Sequence, residues 1–192
     1  MNNIAIFASG SGTNAQAIID YFQGESRGAH VELVLSNRAD AYVLQRAANS
    51  NIKTVTFSTK ELKDNPLEVL SVLQNHAIDF IVLAGFMVLM PSEIVAAYPN
   101  KIVNIHPALL PKYGGKGMYG DNVHRAVVEA KESFSGITIH YVNEKYDDGA
   151  IVFQAQTELS KGETPESLAQ KIHTLEHKYY PQTIENILLC KK

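Results

Sequence analysis

The sequence predicts a single α/β domain over residues 1–192, built on a Rossmann-like, mostly parallel twisted sheet flanked by helices. Three observations predict this class. Strand-like apolar segments alternate with amphipathic helical segments along the chain. The segment DFIVLA, residues 79–84, is a continuous apolar run, as expected for a central parallel strand covered on both faces. No repeat, linker or low-complexity segment interrupts the alternation, and 192 residues suit one domain with a sizeable core.

The first half of the chain supplies four strands and the helices that connect them. The strands are predicted at residues 3–8, 31–37, 53–57 and 79–84. The first helix carries an apolar stripe with the spacing i, i+3, i+4 and i+7, formed by Ala15, Ile18, Ile19 and Phe22. Two further helices are predicted at 39–49 and 65–76, and in the second we expect three side chains to face the core: Leu67, Leu70 and Leu73.

The second half continues the alternation and then adds an antiparallel edge. A short helix at 91–97 precedes a strand at 101–106, and a helix at 121–131 follows. Two more strands are predicted at 136–142 and 151–159, with the second as the antiparallel partner of the first. A long helix at 164–189 closes the chain and presents a core face of Leu168, Ile172, Leu175 and Tyr179.

Composition narrows the class of function. The formal net charge is −3 and no long basic run is present, which argues against a nucleic-acid partner. The longest apolar run, residues 80–90, is too short to cross a bilayer, and the N-terminus lacks signal-peptide features. Cys190 is the only cysteine, so no intrachain disulfide can form. We therefore expect a cytoplasmic protein with small-molecule substrates and no membrane partner.

Polar segments follow three of the predicted strands. SGSGTN (9–14) follows the first strand, Asn104 and His106 end the fifth, and NEKYDDG (143–149) follows the sixth. In open α/β sheets, ligands bind beyond the carboxyl ends of the strands, where the strand order reverses. The three segments are therefore expected to converge on one cleft.

Asn104 and His106 lie two residues apart on a strand, so their side chains point to the same face. Pro107 cannot donate a backbone hydrogen bond, and the strand is expected to end near His106. A pair of donors at a strand end is typical of a binding or catalytic site. The alternative is that the two side chains only cap the strand.

The segment SGSGTN predicts a phosphate site. Gly10 and Gly12 allow close approach of the backbone, and the N–H groups of the following helix favour an anion. With Ala15 the segment also fits the G-x-G-x-x-A dinucleotide pattern. The second strand ends in Asn37 and Arg38 instead of an acidic residue, so an NADP-dependent oxidoreductase, with Arg38 on the 2′-phosphate, is a rival interpretation. A plain glycine-rich helix cap is the structural alternative.

The segment HTLEH in the last helix offers a second alternative. His173, Glu176 and His177 fit the H-x-x-E-H zinc-hydrolase pattern, which places two histidines on one helical face. Only fifteen residues follow the motif, which leaves little chain for a third ligand. A surface helix with two solvated histidines is the simpler interpretation, and no metal site is expected.

Several longer motifs occur together and in a fixed order. They are SGSGTN, LAGFMVLMP (83–91), NIHPALLPKYGGKGMYG (104–120), GITIHYVNEKYDDGAIVFQ (136–154) and TLEHKYYP (174–181). Over essentially its whole length the chain resembles the folate-dependent formyltransferases that act on 5-phosphoribosylglycinamide (GAR). The resemblance implies transfer of the formyl group of 10-formyltetrahydrofolate, as co-substrate, to the amino group of GAR in purine synthesis. It implies neither a metal nor a covalent intermediate.

The resemblance also implies roles for individual residues. Asn104, His106 and Asp147 match the catalytic residues of the family: two donors to a developing oxyanion, and a carboxylate that favours the imidazolium and positions a proton-relaying water. The ribonucleotide would contact Gly12, Thr13, Asn14 and Glu176. The folate would contact Met87, Val88, Leu89, Met90, Asn104, Asn143, Glu144, Lys145 and Tyr146. His140 is expected to support the site from the neighbouring strand, although FMVLM taken alone would also fit a buried core.

Two departures from the family pattern follow from the same resemblance. Some members carry Arg at the position of Val88, so a side-chain contact to the folate from that position is missing here. The loop at 114–120 is a longer glycine-rich version, which we expect to act as a lid over the substrate. Lys116 in this loop is left without an assigned role. A monomer or a homodimer is compatible with the sequence.

Related enzymes share the Asn, His and Asp set. Formyltetrahydrofolate hydrolases carry an additional N-terminal domain, and methionyl-tRNA formyltransferases carry a C-terminal RNA-binding domain. We expect neither here, because the first strand starts at residue 3 and no basic surface is indicated. A phosphate-binding module without catalytic activity is the remaining alternative.

Overall fold

Seven strands form one sheet in the computed structural model, which describes residues 1–23 and 28–190. The strands are β1 Asn2–Phe7, β2 Ala29–Ser36, β3 Lys53–Thr56, β4 Phe80–Leu83, β5 Ile102–His106, β6 Phe134–Tyr141 and β7 Ile151–Glu158. Their spatial order is β3-β2-β1-β4-β5-β6-β7. Neighbouring strands from β3 to β5 are parallel, whereas β6 and β7 pair antiparallel. The predicted mostly parallel sheet and its antiparallel edge are confirmed.

Seven helices are described. They are α1 Thr13–Gln23, α2 Tyr42–Asn49, α3 Thr59–Asp64, α4 Pro66–Asn75, α5 Ser92–Ala97, α6 Asp121–Glu129 and α7 Pro165–Leu189. The short helix α3 was not predicted from the sequence. Its start carries a capping box, in which Ser58 and Glu61 each bond the other's backbone N–H.

The helices cover both faces of the sheet, and the strand residues alternate between two cores. On β1, Ile4 and Ile6 pack into the core that contains α1 and α7, whereas Ala5 and Phe7 pack against α3, α4 and α5. The continuous apolar run of β4 divides in the same way, and β4 is the middle strand of the sheet. Burial on two faces therefore explains the apolar strands that the sequence shows.

The predicted inward face of α4 is wrong at one position. Leu67 is 64 % exposed, and Leu70 is only partly buried, whereas Leu73 is fully buried as predicted. Pro66 occupies the first helical position, and the buried line runs through Pro66, Val69 and Leu73. The buried face of α4 thus lies to one side of the line that the leucines form. The prediction used only the positions of the leucines, whereas packing against the sheet sets the rotation of the helix.

Helix α7 lies across the sheet and is anchored by a buried tyrosine. The Tyr180 hydroxyl approaches the carbonyl oxygens of Leu83 (2.9 Å) and Val103 (3.2 Å), which belong to β4 and β5. The predicted core residues Leu168 and Ile172 are buried, whereas Leu175 and Tyr179 are partly buried at its margin. This placement turns Glu176, one helical turn before Tyr180, towards the carboxyl ends of the central strands.

The helices of the described ranges include none with the length and apolar character that a membrane crossing requires.

Candidate active site

A cavity of about 560 Å³ opens at the carboxyl ends of the central strands. It lies at the point where the strand order reverses, between β1 and β4. Its wall contains most of the residues that the sequence predicted: Gly12, Thr13, Asn14, Met87, Val88, Leu89, Met90, Asn104, His106, Lys145, Tyr146, Asp147 and Glu176. Asn143 and Glu144 are not part of this wall. The predicted convergence of the three loops is therefore observed.

The glycine-rich loop between β1 and α1 is held against α2. Gly12 has φ +73, and a Cβ at this position would lie 2.4 Å from Cγ2 of Val43, so the close packing requires glycine. The backbone N–H of Val43 donates to the Gly10 carbonyl (3.1 Å), and Nε of Arg46 donates to the Ser11 carbonyl (2.8 Å). These bonds fix the loop at the opening of α1, where backbone N–H groups favour an anion.

Glu176 is buried beside this loop and accepts two hydrogen bonds on one oxygen. Asn14 Nδ2 donates to Oε2 at 2.9 Å, and His173 Nδ1 lies 2.9 Å from the same atom. The hydrogen bond to Glu176 raises the pKa of His173. Neither bond uses Oε1. The carboxylate is therefore placed to accept hydroxyl groups from a ligand next to the glycine-rich loop.

Asn104 and His140 lie directly opposite each other on β5 and β6. The His140 Nδ1 is 2.8 Å from the Tyr141 carbonyl, to which it donates in the neutral ring. Its Nε2 is then an acceptor, and Asn104 Nδ2 donates to it at 3.3 Å. One N–H of the Asn104 amide is thereby fixed, and the other remains for a ligand in the cleft.

His106 is the last residue of β5, as the strand pattern predicted, and the structure shows it almost fully buried. Its Nε2 lies 2.8 Å from the Tyr113 carbonyl, and its Nδ1 lies 3.5 Å from Oδ2 of Asp147. Burial lowers the pKa of His106 below its usual value, although Asp147 and the Tyr113 carbonyl act in the opposite direction. The neutral ring is thus favoured at neutral pH, while both nitrogens face acceptors that stabilise an added proton.

Asp147 joins the two histidines from the loop that follows β6. Its Oδ1 lies 3.6 Å from His140 Nε2, and its Oδ2 accepts the Gly115 N–H at 2.9 Å. Burial alone would raise the pKa of Asp147, but its polar contacts, which include the Gly115 N–H, lower it overall. The carboxylate is therefore ionised at neutral pH and links β5, β6 and the start of the glycine-rich loop at 114–120.

The tight return of the chain after Asp147 depends on Gly149. A Cβ at this position would lie 1.7 Å from the Tyr141 carbonyl oxygen, a backbone atom that belongs to β6. We expect Gly149→Ala to cost about 2 kcal/mol and to lower Tm by roughly 4–8 °C, because the backbone must move apart. Thermal unfolding measures this, with Gly10→Ala as the control, since a Cβ there meets nothing within 4 Å. Equal Tm values for the two variants would contradict the packing argument.

The segment 87–90 forms the apolar side of the cleft. Met90 is buried and Met87 is exposed, whereas Val88 and Leu89 are partly buried. All four line the cavity. The sequence alone did not decide between a pocket wall and a buried core, and the segment contributes to both. A flat heterocycle would fit such a wall.

The two residues that an NADP site would use, Arg38 and Asn37, form contacts within the protein. Arg38 forms an exposed ion pair with Asp40 (2.9 Å), and Asn37 bonds Ser9 and Thr59. Both residues that an NADP site would use are therefore engaged elsewhere.

The side chains of the H-x-x-E-H motif in α7 likewise contact one another. His173 bonds Glu176, and the His173 and His177 rings stack at 6.1 Å. In the part of the chain that the structure describes, no group of three potential ligand residues could hold a metal ion.

Other cleft residues were not singled out from the sequence. His124 on α6 lines the cleft at 3 % exposure, and its Nδ1 has no hydrogen-bond partner. The Tyr113 carbonyl, which occupies His106 Nε2, is a backbone group that no residue pattern reveals. The sequence signal for the burial of His124 was its position on α6 beside the apolar pair Val123 and Val127, which share one face of the helix.

Comparison with known proteins gives a consistent result. Residues 2–184 match a protein family described as formyl transferase. The chain is 36 % identical over 191 residues to the phosphoribosylglycinamide formyltransferase of Bacillus subtilis, covering 98 % of this chain and 95 % of that protein. It is 40 % identical over 185 residues to the chloroplastic phosphoribosylglycinamide formyltransferase of Arabidopsis thaliana, covering 94 % of this chain but only 63 % of that protein.

The fold is also shared with solved structures. The crystal structure of the phosphoribosylglycinamide formyltransferase from Bacillus halodurans superposes with a TM-score of 0.90 at 36 % identity, covering 97 % of this chain and 95 % of that one. The seven-stranded, mostly parallel sheet with flanking helices is therefore the formyltransferase fold that the sequence predicted.

Proposed function

The chain belongs to the formyl transferase family, and we propose that it transfers the formyl group of 10-formyltetrahydrofolate to the amino group of GAR. The products are formyl-GAR and tetrahydrofolate, in purine biosynthesis. One observation carries this proposal. A single cavity wall combines a phosphate-type loop at Gly12 with the polar set of Asn104, His106 and Asp147. The named relatives, which are phosphoribosylglycinamide formyltransferases, support the same substrates.

The reaction requires stabilisation of an oxyanion. When the GAR amine attacks the formyl carbon, the carbonyl oxygen gains negative charge in a tetrahedral intermediate. The free N–H of Asn104 is the proposed donor to this oxygen, because His140 holds the other N–H and fixes the amide plane. A preorganised donor of this kind contributes about 3 kcal/mol of barrier lowering.

Proton transfer is the second requirement, because the amine must lose a proton and the departing N10 of the folate must gain one. Neutral His106 is the proposed acceptor, since burial lowers its pKa. Asp147, 3.5 Å away, then stabilises the imidazolium, which adds positive charge beside the oxyanion. The same proton passes to N10 as the carbon–nitrogen bond breaks, and a water held by Asp147 can relay it.

The two substrates are assigned to opposite parts of the cleft. We propose that the GAR phosphate contacts the backbone of Gly12 and Thr13 and the side chain of Asn14, and that Glu176 accepts the ribose hydroxyls. The folate is proposed to contact the segment 87–90, Asn104 and the loop at 143–146. Contacts from Asn143 and Glu144 stay predictions, since these residues lie outside the cavity wall.

The substrates are small molecules, and the proposed compartment is the cytoplasm. A monomer or homodimer stays a prediction, as does the domain assignment over residues 1–192.

Product formation by purified protein tests the function. Tetrahydrofolate release from 10-formyltetrahydrofolate is followed with and without GAR, and release that depends on GAR is the expected result. Release without GAR would instead favour a formyltetrahydrofolate hydrolase. No release under either condition would overturn the proposal.

Glu176→Gln tests the ribonucleotide assignment. The amide keeps the shape of the carboxylate but loses its charge, and charge-assisted hydrogen bonds are worth about twice as much as neutral ones. We expect the KM for GAR to rise about tenfold, with the KM for the folate within twofold of the wild-type value. Steady-state kinetics in each substrate measure this. An increase in the folate KM alone would contradict the assignment.

A further inference from the structure

A buried serine connects the two halves of the cleft. Ser9 is 4 % exposed, lies two residues after the end of β1 and begins the glycine-rich loop. Its backbone N–H donates to the Gly85 carbonyl at 3.1 Å, and its Oγ accepts the Met87 N–H at 3.1 Å. Ser9 therefore binds both ends of the segment 85–87, from which the apolar wall of the cleft begins.

The orientation of the Ser9 hydroxyl is fixed by a second pair of side chains. Its proton is donated to Asn37 Oδ1 at 2.7 Å, and Asn37 Nδ2 donates to Thr59 Oγ1 at 3.0 Å. A hydroxyl has one proton, so this bond leaves its lone pairs for the Met87 N–H. The loops after β1, β2 and β4 and the start of α3 are thereby joined through one chain of hydrogen bonds.

Phe86 lies between Gly85 and Met87, the two residues that Ser9 bonds, and its side chain packs into the core. The Phe86 ring packs edge-on against Phe7 at 5.3 Å and Phe57 at 6.3 Å. Gly85 has φ +72, which permits the sharp turn after β4. Ring packing fixes the depth of the segment, and the Ser9 hydroxyl fixes its backbone direction.

We propose that Ser9 is a positioning residue for the formyl donor: through the Met87 N–H it sets the backbone of residues 87–90 that lines the cleft. This inference rests on the proposed function of the cleft. The effect is expected for the folate and not for GAR, because the glycine-rich loop has its own anchors in the Val43 N–H and Arg46. Asn37 and Thr59 contribute by holding the hydroxyl in the direction that this bond requires.

Ser9→Ala is the direct test, with Ser135→Ala as the matched control. Ser135 is 2 % exposed and its Oγ has no hydrogen-bond partner, so the same substitution there removes no hydrogen bond. For Ser9→Ala we expect the Kd for tetrahydrofolate, measured by titration calorimetry, to rise roughly fivefold, as for the loss of one hydrogen bond. The KM for GAR and kcat should stay within twofold. Ser135→Ala should leave all three values unchanged.

Thr59→Val provides a second variant at the far end of the chain of bonds, outside both loops of the cleft. It is expected to raise the Kd for tetrahydrofolate about twofold, and it decides the question where Ser9→Ala does not fold. Equal tetrahydrofolate affinities for Ser9→Ala and Ser135→Ala would overturn the inference, as would an equal weakening of both substrates. Loss of formyl transfer in the wild-type protein itself would instead overturn the proposed function.

Discussion

Replacement of Asn104 by Ala is expected to lower kcat by roughly 10²- to 10³-fold, which is the effect of removing one donor to a developing oxyanion. The KM values for both substrates should change much less, because the charge on the oxygen exists only in the transition state. The amide is prepared for this role by the strand pairing that places it opposite His140, with one N–H bonded and one free. Steady-state kinetics with 10-formyltetrahydrofolate and GAR measure the effect.

Asn3→Ala is the control for this variant. Asn3 also lies on a strand, is partly buried, and donates from Nδ2 to the His76 carbonyl at 3.2 Å. This residue is at the opposite end of the sheet, so its loss tests the structural cost of removing such a bond. A fall in kcat of similar size in both variants would refute the oxyanion role of Asn104.

The features that the sequence predicted correctly are those that depend on periodicity. The continuous apolar run of β4 predicted burial on both faces, and the two-residue spacing predicted that Asn104 and His106 share the cleft. The glycine-rich turn after β1 is also a local feature, because Gly12 adopts a positive φ that glycine reaches without strain. Local patterns of this kind survive in the folded chain because each is satisfied within one element and its immediate contacts.

Other features depend on pairs that are far apart in the chain. Ser9 and Met87 are 78 positions apart, and Asn14 and Glu176 are 162 apart, so no local pattern reveals either bond. The inward face of α4 was wrong at Leu67 because packing against the sheet, and not the spacing of leucines, sets the rotation of a helix. Tertiary contacts decide such details.

The rival interpretations are not favoured, for a related reason. A motif specifies which groups are available, whereas the fold decides which partners they meet. Arg38 was available for a 2′-phosphate but pairs with Asp40, and the carboxylate of HTLEH accepts bonds from Asn14 and His173. Each motif was compatible with more than one function, and the contacts of its side chains in the folded chain favour one of them.

Asp147→Asn is expected to lower kcat by about 10²-fold and to move the acid limb of the kcat/KM profile to lower pH. The isosteric amide removes the charge that opposes the effect of burial on His106, so the pKa of His106 falls further below its usual value. Below that pKa the ring is protonated and cannot accept the proton of the amine, so activity is lost as the pH falls through it. In the variant this loss therefore begins at lower pH, while the imidazolium formed during the reaction is less stable.

Asp148→Asn is the matched control, since it changes the neighbouring carboxylate in the same loop. Asp148 lies 3.9 Å from Lys145 Nζ and accepts a bond from Asn143, and it is not part of the cavity wall. Because the amine of GAR titrates identically in both variants, the difference between their profiles isolates His106. A shift of the acid limb to higher pH in Asp147→Asn, or equal profiles for the two variants, would show that Asp147 does not act through His106. A downward shift in Asp147→Asn alone would connect the buried carboxylate to the proton that the reaction must move.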